Sequence, residues 1–173
     1  ARGSGGLIGG SDGDFYGTTF AHGGGYSEGT VFRVTTNGTL TTLATFNTTN
    51  GGYPCVRLLQ AHDGALYGTT TSGGSGNYGT VFRVTTNGAL TTLASFDYLS
   101  GATSVFPGLS RVYTGLAQGG DGAIYGTTFF GGSRGGGSIF RLDLSSEMHP
   151  LIRTGNGWNV RFNGLAEADY RVQ

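Results

Sequence analysis

Three aspartates recur along the chain, each with a tyrosine and an arginine at similar spacing, and these side chains offer the most chemistry. Asp12, Asp63 and Asp121 each precede a glycine, and a tyrosine follows each aspartate four residues later. An arginine lies in the next segment of each copy. The tyrosines are Tyr16, Tyr67 and Tyr125, and the arginines are Arg33, Arg83 and Arg141.

Carboxylates at turns suggest calcium binding, and the phrase "SDGD" would let Asp12 and Asp14 share one ion. Calcium takes about six to eight oxygen ligands, however, and no copy matches an EF-hand or a nonapeptide calcium pattern. The other two copies also have alanine in place of Asp14. We therefore prefer a role for the aspartates in hairpin turns and predict no cofactor, with calcium kept as a hypothesis.

The recurring tyrosines and arginines allow two interpretations. In register, the six side chains would line a shared groove and stack on sugars, which makes them candidate binding residues. The preferred alternative is packing between repeats, with each tyrosine hydroxyl and guanidinium bonded within the protein. His22, His62 and His149 do not occupy equivalent positions, and there is no G-x-S-x-G motif. We therefore predict no catalytic residues and expect a protein that is not an enzyme.

Composition narrows the class of protein. The formal net charge of zero gives no electrostatic pattern for nucleic acid. There is no apolar run of about 18 residues, so no membrane insertion is expected in this segment. The chain contains 36 glycines and 12% aromatic residues, with many β-branched residues. Strand formers interrupted by frequent turn formers predict an all-β protein.

The elements that carry these residues are themselves repeated. Residues 29–46 and 79–96 differ only at Thr39, which is Ala89 in the second copy, and at Thr45, which is Ser95. Each copy predicts four short strands: a leucine segment, then "ALYGTT", "GTVFRV" and "LTTLASF" in the second copy. The Asp-Gly and Asn-Gly pairs predict two-residue hairpin loops of type I′, and a glycine-rich loop makes the third connection.

Four antiparallel strands in about 50 residues have the size and layout of one propeller blade. The predicted fold is therefore all-β, with tandem four-stranded antiparallel repeats forming β-propeller-like blades, and a β-solenoid as the alternative. The repeats are placed at approximately 7–57, 58–115 and 116–154 within residues 1–154. Residues 155–173 are expected to be the truncated start of a second β module.

Alternation along the strands predicts how the sheets pack. In "TVFRV", Phe32 and Val34 should face the opposite side from Val31 and Arg33. In "LTTLASF", a single face is expected to hold Leu90, Thr92, Ala94 and Phe96, with Leu93 on the other side. Apolar residues on both faces favour sheets stacked between neighbours.

The ordered phrases DG-x-[LFI]-YGTT, a glycine-rich loop, GTVFR-[VL] and LTTL-x-x-F resemble the GloVer (Gloeo-Verruco) tandem repeat of bacterial exported proteins. The resemblance covers approximately residues 7–152. It implies export and display at the cell surface, and it brings no catalytic residues. The final phrase "VRFNGLAEADYRVQ" is similar to the start of a β-sandwich module that can follow such repeats.

Three blades are too few for a closed propeller, which has about four to eight. Open blades would leave apolar faces in water, so we expect self-association into a ring or filament, or contact with missing blades of a longer parent chain. The predicted function is a non-enzymatic extracellular or cell-surface scaffold or adhesion module. The alternatives are a carbohydrate-binding module with glycans as partners, and a fragment of a polysaccharide-active enzyme.

Overall fold

The computed structural model describes residues 3–20, 28–96, 115–128, 138–144, 152–154 and 157–159. Every regular element in these ranges is a β-strand, and every pairing between named strands is antiparallel. The predicted all-β class is confirmed.

Repeat 1 is a four-stranded meander in which each strand pairs with the next. Its strands are β1 (Gly3–Gly9), β2 (Phe15–Thr19), β3 (Thr30–Val34) and β4 (Leu40–Thr45). The following sheet contains β5 (Gly52–Pro54), β6 (Leu59–Gln60), β7 (Leu66–Ser72), β8 (Thr80–Val84) and β9 (Leu90–Ser95). Here β5 and β6 both pair with β7. They correspond to the two halves of β1, which pair with β2 on either side of a register shift. We call this sheet repeat 2.

Repeat 3 contains β10 (Ala117–Gln118), β11 (Ile124–Thr128) and β12 (Ser138–Leu142). A separate hairpin follows, made of β13 (Ile152–Thr154) and β14 (Gly157–Asn159). Among the described residues, the third sheet therefore has three strands rather than the predicted four. In the third copy, the phrase at the fourth-strand position is "MHPLI" (residues 148–152), and only its last residue lies in the described part of the chain, where it begins β13.

The Asp-Gly and Asn-Gly pairs do form hairpins, but the predicted two-residue type I′ loops are wrong. Gly10 N–H donates to the Asp14 carbonyl at 2.7 Å and Gly13 N–H donates to the Gly10 carbonyl at 3.0 Å, which leaves three residues in the loop. Gly13 has a φ of 86°, whereas Asp12 is not in the positive region. The reason is an Asx turn, because Asp12 Oδ1 accepts the Asp14 N–H at 3.2 Å. The Asn37 loop has the same form, with Gly38 at a φ of 86°.

The glycine of each "YGTT" phrase is required by a neighbouring ring. Gly17, Gly68 and Gly126 pair across the sheet with Phe32, Phe82 and Phe140, respectively. A Cβ on Gly68 would lie 2.5 Å from Phe82 Cζ and 3.0 Å from Leu58 Cδ2. Glycine at this position therefore lets the phenylalanine ring lie flat across the backbone of the second strand.

The sheets stack on one another through apolar clusters that repeat in composition. One cluster joins repeats 1 and 2, and Phe46 and Phe82 meet in it with ring centroids 4.8 Å apart. The next cluster joins repeats 2 and 3, where Phe96 and Phe140 meet at 5.5 Å. We call the side of each repeat that contacts the preceding repeat its leading face, and the side that contacts the following repeat its trailing face.

A β-bulge in the fourth strand overturns the predicted face of "LTTLASF". Val81 pairs with Ala94 while Phe82 pairs with Thr92, which leaves Leu93 as an extra residue. Leu90 consequently packs in the cluster shared with repeat 1, whereas Leu93, Ala94 and Phe96 lie in or against the cluster shared with repeat 3. One strand thus supplies apolar side chains to both faces of its sheet.

Candidate functional site

Each recurring tyrosine donates its hydroxyl hydrogen bond to the aspartate four residues before it. The distances from Tyr Oη to Asp Oδ2 are 2.5 Å for Tyr16, 2.8 Å for Tyr67 and 2.7 Å for Tyr125. The aspartate sits in the hairpin loop and the tyrosine one residue into the next strand. The tight turn therefore brings the two side chains together in every repeat.

The recurring arginine joins this pair in repeats 2 and 3. Arg83 Nε donates to Tyr67 Oη at 3.2 Å, and Arg83 Nη2 lies 3.1 Å from Asp63 Oδ2. In repeat 3, Arg141 Nε donates to Tyr125 Oη at 3.1 Å. Strand register explains the meeting, because Tyr67 pairs directly with Arg83 and Tyr125 with Arg141. We call each such group an Asp–Tyr–Arg cluster.

Repeat 1 departs from this arrangement because Asp14 replaces the alanine of the other copies. Arg33 Nε lies 3.5 Å from Asp14 Oδ2 and makes no hydrogen bond. Asp12 therefore keeps its tyrosine but not the direct arginine contact seen at Asp63. The two carboxylates that the sequence offered to one calcium ion have different partners, Tyr16 and Arg33.

Burial and hydrogen bonding shift the pKa values of these groups in opposite directions. Burial raises the pKa of Tyr67 to about 12, and its hydrogen bond to Asp63 adds to the shift. The pKa of Tyr16 is raised to about 12 for the same two reasons. The hydrogen bond from Tyr16 is the main cause that lowers the pKa of Asp12. At Asp63 burial raises the pKa, but the Ala65 N–H, Tyr67 and Arg83 outweigh it and the net pKa is lowered.

The hydrogen bonds of the Asp–Tyr–Arg clusters are better suited to stabilising the hairpin than to catalysis. The ionised carboxylate and the neutral phenol are both held in their ordinary forms at neutral pH. Tyr16 and Tyr67 are 0% and 1% exposed, so neither ring presents a face on which a sugar could stack. The arginines are partly exposed, and Tyr125 is less buried than its two counterparts. The assignment of these six residues to ligand binding stays a prediction.

Other candidate residues do not meet in the described part of the chain. His62 is exposed in a hairpin loop and contributes its backbone N–H to Gln118, while His22 and His149 lie outside the described residues. Within the described ranges, no group of three or more histidine, cysteine, aspartate or glutamate side chains is placed to hold a metal ion. The same ranges contain no helix with the length and apolar character needed to cross a membrane.

The largest exposed apolar side chains lie at positions that are buried or partly buried in the neighbouring repeat. Leu7 is 52% exposed in repeat 1, whereas its counterpart Leu58 is 4% exposed against repeat 1. Phe15 is 42% exposed, whereas its counterpart Leu66 is fully buried. Leu40 is 67% exposed, and its counterpart Leu90 packs into the cluster between repeats 1 and 2. These three side chains mark the leading face of repeat 1.

The trailing face of repeat 3 shows the same contrast. Ile139 is 63% exposed, whereas its counterparts Val31 and Val81 are 0% and 1% exposed beneath the following repeat. The sequence predicted open faces in general but not these residues. Aligning the three copies position by position would identify them, because each exposed residue occupies a column whose other members are apolar.

The repeat pattern has a counterpart among known protein families. The model of the Gloeobacter/Verrucomicrobia repeat matches residues 1–159, a range that runs from the first described strand to the last. It therefore extends a few residues into the segment predicted as a second module. Among curated proteins, none matches the sequence at a significant level. Because the family model matches most of the chain, this protein belongs to the Gloeobacter/Verrucomicrobia repeat family.

Proposed function

We propose that this chain is a non-enzymatic scaffold whose function is to stack repeats onto repeats, within the chain and beyond it. The observation that supports the proposal is that the two ends of the stack expose complementary apolar faces. The leading face of repeat 1 and the trailing face of repeat 3 are the two halves of an interface that the chain already makes twice internally. A second copy, or a further repeat of a longer parent chain, would bury both.

Burial of apolar surface gives the stacking its driving force. Each fully buried leucine or phenylalanine side chain contributes about 1.5–3 kcal/mol relative to exposure. Leu7, Phe15, Leu40 and Ile139 together offer several kcal/mol before the cost of association is subtracted. Because the two faces differ, the contact is head to tail, and it generates a ring if the rotation closes and a filament if it does not.

We propose no enzymatic role because the ionisable side chains are engaged in hydrogen bonds within the protein. The side chains of each Asp–Tyr–Arg cluster form hydrogen bonds with one another. The lowered pKa of Asp63 keeps this carboxylate ionised at neutral pH, which does not suit it for proton transfer. Export to the cell surface completes the proposal, supported by the resemblance to repeats of bacterial exported proteins. Adhesion or assembly outside the cell is the role that such a scaffold would serve.

Complementary interface variants test the stacking. Leu40→Glu blocks the leading face of repeat 1, and Ile139→Glu blocks the trailing face of repeat 3. We expect each variant alone to be a monomer of 17.8 kDa by size exclusion with light scattering. An equimolar mixture retains one intact pair of faces and should form a dimer of twice that mass.

The unmodified chain should form larger species whose mass rises with concentration. Thr36→Glu, at an exposed position in the loop between β3 and β4, is the matched control and should associate like the unmodified chain. A stable 17.8 kDa monomer at all concentrations, for the unmodified chain and for the mixture, would refute the stacking proposal.

Carbohydrate binding is the second candidate, and one aromatic pair favours it. Phe20 and Tyr53 are both partly exposed, and their ring centroids lie 5.0 Å apart at an interplanar angle of 36°. Rings presented in this way suit the apolar face of a sugar better than the buried tyrosines do. The test is a glycan array in which Phe20→Ala removes any binding seen, with Tyr125→Phe as a control. An array without hits would refute this candidate.

A further inference from the structure

Two glutamines link the hairpin loops of successive repeats. Gln60 Oε1 accepts the backbone N–H of Ser11 at 2.8 Å, across the junction between repeats 1 and 2. Gln118 Oε1 accepts the N–H of His62 at 2.9 Å, across the next junction. In both cases the loop of one repeat is tied to a side chain of the repeat that follows it.

The same glutamines are also held by their own loops. Gln60 Nε2 donates to the Gly64 carbonyl at 3.0 Å, and Gln118 Nε2 donates to the Gly122 carbonyl at 2.8 Å. The bond within its own repeat can orient each amide independently of the neighbouring repeat, with its oxygen directed to the junction. A pre-oriented acceptor loses little side-chain freedom on docking, which favours a specific contact.

Strand register identifies the equivalent positions at the two open faces. Gln60 pairs with Leu66, Gln118 with Ile124, and Gly9 with Phe15, so repeat 1 has glycine where the other repeats have glutamine. On the receiving side, Gly120 is equivalent to Ser11 and His62. Its N–H has no hydrogen-bond partner among the described residues.

We propose that the hairpin loop of repeat 3 is a receiving site for a glutamine side chain, and that its preferred partner is a further repeat carrying glutamine at the position of Gln60 and Gln118. This inference rests on the proposed stacking and names its partner. A copy of this chain presents Gly9 instead, so it can cover the apolar trailing face but leaves the Gly120 N–H without an acceptor. Stacking between copies is correspondingly weaker than stacking onto a glutamine-bearing repeat.

The test converts this chain into the preferred partner. Gly9→Gln is built into the Ile139→Glu variant, which has only its leading face available, and is mixed with Leu40→Glu, which has only its trailing face. A Cβ on Gly9 meets no atom within 4 Å and Gly9 does not have positive φ, so the substitution is sterically accommodated. We expect the dimer dissociation constant, measured by analytical ultracentrifugation, to fall about two- to tenfold relative to Gly9.

The receiving N–H can be removed without changing the loop. Gly120 is the second residue of a turn closed by the Gly122 N–H to Gly119 carbonyl bond of 3.0 Å, a position that accepts proline. In a Leu40→Glu, Gly120→Pro receiver, the gain from Gly9→Gln should disappear while binding of the Gly9 form is unchanged. Gly9→Ala is the control for adding a side chain and should give no gain.

The outcomes separate this inference from the proposed function. Equal dimer dissociation constants for Gly9 and Gly9→Gln would overturn the glutamine site and leave stacking intact. The same holds if the tighter binding of Gly9→Gln persists with the Gly120→Pro receiver. Dimers only with Gly9→Gln would support the site and show that unmodified copies do not stack. No dimer in any mixture would overturn both.

Hydrogen exchange on the unmodified chain supplies a readout that does not depend on Gly9→Gln folding. The amides of Ser11 and His62 should exchange slowly although both residues are exposed, and the Gly120 amide should exchange fast. Gln60→Ala should accelerate Ser11 while leaving His62 protected. Fast exchange of Ser11 and His62 in the unmodified chain would overturn the inference.

Discussion

Replacing Tyr67 by phenylalanine should change the pH dependence of stability in a way that isolates one Asp–Tyr–Arg cluster. Tyrosine is neutral when protonated, and the pKa of Tyr67 is raised from 10.0 to about 12 in the folded protein. The folded state therefore holds this proton more tightly than the unfolded state does. The resulting stabilisation is present in full below pH ~10 and is lost as the pH rises towards about 12.

The size of the effect follows from the shift. Two pKa units correspond to at most about 2.7 kcal/mol at roughly 1.36 kcal/mol per unit, because the Tyr67 ring is buried but the side chain of its partner Asp63 is 35% exposed and solvent screens their interaction. At neutral pH, Tyr67→Phe loses the hydroxyl bonds to Asp63 at 2.8 Å and to Arg83 at 3.2 Å. Their loss costs about 1–2 kcal/mol, since Asp63 and Arg83 keep their contact with each other.

The two stability curves should therefore cross. The unmodified chain is more stable near pH 7, the curves meet near pH ~11, and the variant is the more stable protein near pH ~12. Urea unfolding at a series of pH values, followed by circular dichroism, measures this directly. Tyr125→Phe is the matched control, because Tyr125 is less buried and its removal should flatten the alkaline limb less. Parallel curves for the unmodified chain and Tyr67→Phe from pH ~9 to ~12 would refute the assignment.

Three further predictions concern the turns, the packing and the metal hypothesis. Asp63→Asn should flatten the acid limb of the stability curve. The lowered pKa of Asp63 adds stability at pH values above its unfolded pKa of about 3.9, and this stability is lost as the pH falls through the folded pKa. Equal acid limbs in urea titrations would contradict this prediction. Gly68→Ala should cost about 1–3 kcal/mol of unfolding free energy, since its Cβ would lie 2.5 Å from Phe82 Cζ, whereas Gly9→Ala should be close to neutral. EGTA should leave the melting temperature unchanged, and a clear decrease in calorimetry would support the calcium hypothesis at Asp12.

The repeated phrases made the strands and their order predictable from the sequence. Two nearly identical copies locate the second, third and fourth strands, because Asp-Gly and Asn-Gly reverse the chain between alternating apolar segments. The meeting of aspartate, tyrosine and arginine also follows from the phrases once the register is known. Register itself depends on the loops, and the actual three-residue loops differ from the expected two-residue ones.

The faces of the fourth strand were not predictable from alternation. A bulge at Leu93 shifts the side-chain order by one residue, so Leu90 packs towards repeat 1 and Phe96 towards repeat 3. No glycine or proline marks the bulge in "LTTLASF", and the cause is tertiary, since both neighbouring sheets require apolar contacts from one strand. The glutamine links were missed for a similar reason: Gln60 and Gln118 are single polar residues whose partners lie in another repeat.

Two adjacent residues of β8 serve opposite interfaces of repeat 2. Phe82 contacts the preceding repeat while its strand neighbour Val81 contacts the following one, so neither position can vary without affecting a junction. Two differences between copies lie at an open junction. Gly9 stands in place of Gln60, and Phe15 in place of Leu66, both on the leading face that no described residue of the chain covers. Under the stacking that we propose, Gly9 and Phe15 would therefore help to determine which repeat can precede repeat 1, whereas Phe82 and Val81 belong to the contacts that repeat 2 already makes on its two sides.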